Sequence, residues 1–120
     1  MSDDELRRRV YRHFADTGTP PELDPAASRR LGFVLDEGGR ILIASPFAGR
    51  PTPYRVEAGR RYWANCVWDA LGILSLLDRD GTADCEGTEL RVEGGALEPT
   101  EAVCHFLVPA RHWYDDLAYT

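Results

Sequence analysis

The segment Tyr62-Trp63-Ala64-Asn65-Cys66-Val67-Trp68-Asp69-Ala70-Leu71-Gly72-Ile73-Leu74-Ser75-Leu76-Leu77 constrains the fold more than any other part of this chain. It is almost wholly apolar, carries one carboxylate near its middle, and stops at Asp78-Arg79-Asp80-Gly81. Its longest apolar stretch, from Ala70 to Leu77, is far too short to span a bilayer, so it has to be buried against the rest of the chain. Length and composition predict a largely buried helix. A carboxylate inside such a helix is costly unless it has a hydrogen-bonding partner or access to water. Asp69 therefore marks a break in the local pattern, the kind of place where a functional site is expected. With 120 residues, 43% of them hydrophobic, the chain is read as one compact domain with a modest core.

The remaining elements follow from periodicity and turn residues. Leu6, Val10 and Phe14 recur at four-residue spacing over residues 3–15 and predict an amphipathic helix capped by Ser2 or Asp3. Thr17-Gly18-Thr19-Pro20-Pro21 ends it, and a short second helix is expected over Pro25–Leu31. Phe33-Val34-Leu35 and Arg40-Ile41-Leu42-Ile43-Ala44 read as strands joined by a Gly-rich turn. Pro46 to Pro53, with three prolines and a glycine, is expected to be a structured loop. Strands are expected at Tyr54–Glu57, Thr82–Cys85, Glu89–Glu93 and Ala102–Val108, with a last helical turn after Pro109. The fold class is thus α+β: a central Cys-bearing helix packed on a small, mostly antiparallel sheet. Trp63, Trp68, Phe106 and Trp113 are expected to fill the interface. Two short helices followed by a hairpin suggest a reduced winged-helix-like N-terminal region.

Charge excludes some partners. The formal net charge is −6, leaving no excess of cations to neutralise phosphates, so neither nucleic acid nor an anionic membrane is expected. The Arg residues near positions 7–12 are read as a solvated helix face. All 14 basic residues are Arg, which looks like the codon bias of a high-GC bacterial genome. The acidic start, Met1-Ser2-Asp3-Asp4-Glu5, has no apolar run behind it and is not read as a signal peptide. Three cysteines, none in a CxxC pair, are read as free thiols in a reducing cytoplasm, and zinc-type spacing is absent.

Cys66 and Asp69, three residues apart, share one helix face. The unsatisfied N–H groups and dipole of an early helical turn favour a thiolate at Cys66. Desolvation and a nearby thiolate would both raise the pKa of Asp69 and help it hold a proton. On spacing alone a second reading stands beside this one, in which Cys66 is a small core residue and Asp69 bonds to backbone or to side chains.

Two longer runs carry a resemblance. Ser45-Pro46-Phe47-Ala48-Gly49-Arg50-Pro51-Thr52-Pro53-Tyr54-Arg55-Val56, followed by the Cys66-x-x-Asp69-x-Leu71 helix, is similar to the signature stretch of the alkylmercury lyase family. Val103 to Asp116, with its Pro109, Trp113 and Asp115-Asp116, also resembles that family. The resemblance runs from about residue 38 onward and divides the chain into an abbreviated winged-helix-like region, 1–44, and a lyase-like core, 45–120, packed as one unit. It implies protonolysis of a carbon–mercury bond, with Cys66 as the thiolate that binds mercury and Asp69 as the proton carrier. Cys85 would match a structural cysteine. The family's second catalytic cysteine falls just beyond a segment like Asp115–Thr120. Cys104 stands in for it, as catalytic residue and mercury ligand, if its strand faces Cys66, although relatives carry an aliphatic residue there. No cofactor is implied, because mercury arrives with the small-molecule substrate, and an external thiol is a possible second donor.

Other groups carry less. His105 points to the strand face opposite Cys104, and His112 lies on an expected exposed turn, so each is read as structural or solvated. Arg60 and Arg61 are placed to orient an anionic substrate, though nothing in their spacing requires it. Two alternatives to mercury chemistry stay open: the same core acting on an organic substrate in specialised metabolism through Cys66 or Asp69, and a non-catalytic soft-metal-binding protein.

Overall fold

A computed structural model describes residues 1–99 and shows an α+β architecture built on one antiparallel sheet. Helix α1 (Asp3–Thr17) opens at Ser2, whose side chain accepts from the Glu5 N–H, and closes at Gly18 in the left-handed conformation. Its inward residues are Val10 and Phe14, as the spacing predicts. Helix α2 (Pro25–Arg30) is capped by Asp24 and has Pro25 at its first position, where no N–H partner is lost. The hairpin β1 (Val34–Leu35) and β2 (Ile41–Ala44) follows. Its turn is held by the Asp36 carboxylate, which accepts from the Gly38 and Arg40 N–H groups.

The expected loop 46–53 holds a two-residue strand, β3 (Phe47–Ala48), pairing with β2 and with β5. Strands β4 (Tyr54–Glu57) and β5 (Arg61–Ala64) come next, then helix α3 (Val67–Leu77). Strands β6 (Gly81–Cys85), β7 (Thr88–Glu93) and β8 (Ala96–Glu98) complete the described chain. The sheet order is β1-β2-β3-β5-β4-β6-β7-β8, with every neighbouring pair antiparallel. The expected strand Ala102–Val108 and the turn after Pro109 lie outside the described residues. Among those described, no helix is long and apolar enough to cross a membrane.

Several expectations are corrected. The run 62–77 is not one helix: Arg61–Ala64 is a strand, and the helix starts only at Val67. Arg61, Tyr62 and Trp63 alternate exposed, buried and half-buried, a period-two pattern that overall apolarity conceals. The sheet, with eight strands among the described residues, is also larger than expected. Trp68 does not fill the interface, being 61% exposed on the outside of α3, while Trp63 is half-buried and packs under the Arg61 guanidinium at 6.0 Å. Phe106 and Trp113 lie outside the described residues. The aromatic centre is instead Phe14, Phe47 and Tyr62: Phe14 stacks on Phe47 at 5.0 Å, and Phe47 meets Tyr62 at 5.8 Å.

Cross-strand register explains where the core lies. Val56 pairs with both Tyr62 and Ala83, and Tyr54 with both Ala64 and Cys85, so these residues share one sheet face. Helix α3 packs on β4, β5 and β6, and Ala70, Ile73 and Leu74 are its buried residues. The opposite face carries Arg55, Trp63 and Asp84 in one row, with Glu57, Arg61 and Thr82 in the next. Its ion pairs, Arg61–Glu57 at 2.7 Å and Arg55–Asp84 at 3.6 Å, are solvent-exposed and contribute little to stability.

Gly49, directly after β3, fixes how closely the chain leaving β3 runs beside β2. Its N–H donates to the Leu42 carbonyl at 2.7 Å, and a Cβ there would lie 2.2 Å from the Ile41 carbonyl oxygen. Backbone cannot move aside as a flexible side chain can. Gly49→Ala is therefore expected to lower unfolding free energy by about 2–3 kcal/mol, read as a lower urea midpoint.

Candidate active site

The site forms where β5 turns into α3. Thr52 sets this junction: its hydroxyl donates to the Ala64 carbonyl and accepts from the Tyr54 N–H. Two residues past Ala64, Cys66 occupies the N-cap of α3 in extended conformation (φ −155°, ψ 175°), and its carbonyl accepts from the Ala70 N–H. Cys66 is thus the cap of the helix rather than a residue of its first turn. Asp69 lies three positions on, in the first turn of α3.

Cys66 and Asp69 are brought together by the helix start they share. The two groups act on one another: Cys66 lowers the Asp69 pKa, and the Asp69 charge raises that of Cys66. Burial is the larger influence on both groups. It pushes Asp69 up to about 6 despite the thiol. It also pushes Cys66 up; the Asp69 N–H opposes this, the Asp69 charge adds to it, and the Trp68 N–H opposes it again. The helix N-terminus does favour the anion, but desolvation outweighs it, so near neutral pH the proton resides on sulfur and Asp69 is mostly ionised.

Two tyrosines feel the charge of this pair. Tyr54, on the buried sheet face between Ala64 and Cys85, donates its hydroxyl to Glu86 Oε1 at 2.9 Å. Burial, then the Glu86 bond and charge, raise its pKa to about 12, with smaller contributions from Cys66 and Cys85. It therefore stays a neutral phenol. Tyr11 arrives from α1, its hydroxyl donating to the Ser45 carbonyl at 2.9 Å. Burial raises its pKa, Arg7 opposes this, and the Asp69 charge adds to the rise. The position of Tyr54 was legible from its alternation with Val56. Nothing in the sequence around Tyr11 signals its place here.

Cys85 is buried on the core face of β6 at 9% exposure. Neither Cys66 nor Cys85 is in a disulfide. Arg60 is exposed beside the Gly59 turn, and Arg61 is paired with Glu57 on the far face of the sheet, so Arg61 does not reach the Cys66–Asp69 pair. Cys104, His105 and His112 lie outside the described residues. Among those described, no cluster of three or more His, Cys, Asp or Glu side chains is arranged to hold a metal ion.

A cysteine at a helix N-cap and a half-buried carboxylate of raised pKa in the turn that follows thus stand together at the start of α3. The alkylmercury lyase family model matches residues 47–120, well over half of the sequence, and the chain belongs to that family. No curated protein matches the chain in sequence.

Proposed function

We propose that the protein cleaves the carbon–mercury bond of organomercurials by protonolysis, with Cys66 as mercury-binding thiolate and Asp69 as proton carrier. The placement of Cys66 at the N-cap of α3, with the half-buried Asp69 in the turn that follows, is the observation that carries this reading. It provides a path for one proton in two moves. As mercury binds sulfur, the thiol proton passes to Asp69, which burial has made a better base than an ordinary aspartate. Asp69 then delivers the same proton to the carbon, the carbon–mercury bond breaks, and the hydrocarbon leaves while mercury(II) stays on sulfur. Mercury is soft and prefers thiolate donors. Cys104 or a thiol from a reducing cytoplasm supplies the second donor and carries the product away. The N-terminal helices and hairpin, a reduced winged-helix-like unit in this reading, shield the site from water.

The decisive experiment incubates the full chain with a simple arylmercurial and excess thiol and follows arene release over many turnovers. Release well beyond one equivalent of protein is expected. Stoichiometric mercury binding with no arene released would overturn the proposal.

A further inference from the structure

Thr52 stands between two prolines, Pro51 and Pro53. Each proline fixes its own φ, and Pro53 also holds Thr52 to extended backbone, so the threonine side chain is presented from a stiff segment. Its part-buried hydroxyl donates to the Ala64 carbonyl and accepts from the Tyr54 N–H at 3.1 Å. Tyr54 and Ala64 form the last rung between β4 and β5, and Ala64 is also where β5 meets β3, opposite Phe47. On its other side the same segment holds the end of β6, because the Pro53 carbonyl accepts from the Glu86 N–H at 3.0 Å. Beyond Ala64 the chain leaves the sheet. Cys66 is the N-cap of α3, and its carbonyl accepts from the Ala70 N–H at 2.9 Å. The Thr52 hydroxyl therefore anchors the last strand residue before the cysteine.

We propose that Thr52 is a positioning residue for Cys66: its hydroxyl fixes the point at which β5 leaves the sheet and so sets where the sulfur stands at the start of α3. This inference rests on the lyase reading for its kinetic consequence alone. A tether this short passes on most of any shift at Ala64, since one residue spans only about 3.3–3.6 Å when extended. Transfer of a proton to a mercury-bound carbon needs sulfur and carboxylate in register, and a misplacement of about 1 Å costs rate steeply. Threonine suits the task because its branched Cβ restricts χ1 and keeps the hydroxyl in one direction. Valine would match its shape but would leave the Ala64 carbonyl and the Tyr54 N–H without this partner.

Thr52→Val and Thr52→Ser, made in the full chain, test the role. Thr52→Val is expected to lose about tenfold in kcat for arene release with KM little changed. Thr52→Ser, which keeps the hydroxyl, should stay within about threefold of the wild-type kcat. The Ala70 amide reports the cap directly, because it donates to the Cys66 carbonyl; its hydrogen exchange should quicken about tenfold in Thr52→Val and little in Thr52→Ser. Arg79→Met is the comparator. It removes another part-buried bond to a backbone carbonyl, from Arg79 Nη1 to Ala58 at 3.0 Å, at the opposite end of the β4–β5 hairpin. That variant should lower the urea midpoint yet leave kcat and Ala70 exchange near the wild-type values. An unchanged kcat in Thr52→Val overturns the proposal, as does an equal loss in Arg79→Met or a failure of Thr52→Ser to restore the rate. If the wild-type protein releases no arene, the lyase reading fails, and the Ala70 exchange still decides the role of Thr52.

Discussion

Cys66→Ser is expected to reduce arene release from an arylmercurial by on the order of a thousandfold or more, with no loss of folding. The chemical reason is donor softness: a serine oxygen is a hard, weakly acidic group that neither binds mercury(II) well nor ionises near neutral pH. The structural reason the fold survives lies in the position of the residue. Cys66 is the N-cap of α3 and makes no side-chain capping bond of normal geometry, whereas serine is among the preferred N-cap residues. The variant would place a hydroxyl where it accepts from the Trp68 or Asp69 N–H. Its urea midpoint is expected to equal or slightly exceed that of the wild type, by about 0.5–1 kcal/mol in stability. Retained cleavage in a folded Cys66→Ser protein would remove the thiol from the mechanism altogether.

Asp69→Asn separates activity from stability in opposite directions. An amide cannot hold and release the proton, so cleavage should fall by about 10²- to 10⁴-fold, the range for loss of a general acid–base group. Stability should rise. The folded-state pKa of Asp69 is near 6, above the ordinary unfolded value of about 4. The protonated carboxyl therefore contributes stability that is fully present below about pH 4 and is lost as pH rises through 6. Above that, the wild type carries a poorly hydrated anion that the Asn variant lacks. Full conversion of the shift gives about 3 kcal/mol; because Asp69 is only part-buried, solvent screening reduces this to about 1–2 kcal/mol. Urea titrations of both proteins at pH 8 and pH 4 check the sign: the variant should be more stable at pH 8 and no more stable at pH 4. Equal stability at both values would mean that the carboxylate is better solvated than its surroundings indicate. A site residue that lowers stability is a common consequence of selection for function.

What was legible in the sequence was what local chemistry dictates. The Leu6-Val10-Phe14 spacing, the Ser2 cap, the Gly-rich hairpin and the strand Tyr54–Glu57 are short-range patterns, and each corresponds to an observed element. The start of α3 was not legible from apolarity, because Tyr62 and Ala64 on the buried face of a strand look much like residues of a buried helix. Misplacing that boundary carried over to the chemistry, since a cysteine at the cap meets burial and backbone N–H groups in different proportion from one in the first turn. The Cys-x-x-Asp pair itself was visible, and the resemblance gave it weight. Tyr11 stayed hidden because its contact with Ser45 spans 34 residues of sequence and depends on how α1 lies across the β2–β3 connection.

The aromatic stack has a further consequence for any attempt to dissect this protein. Phe47 opens the family-matched segment, but one of its faces is covered by Phe14 of α1, and Tyr62 donates its hydroxyl to the Ala15 carbonyl of the same helix. Cutting the chain at the family boundary would strip a lid of hydrocarbon from two large rings and strand a phenol. The catalytic pair would remain on a fragment whose freshly bared aromatic surface invites self-association. The first helix is thus no detachable accessory: trading it for another requires a replacement that restores both the stacked ring and the carbonyl.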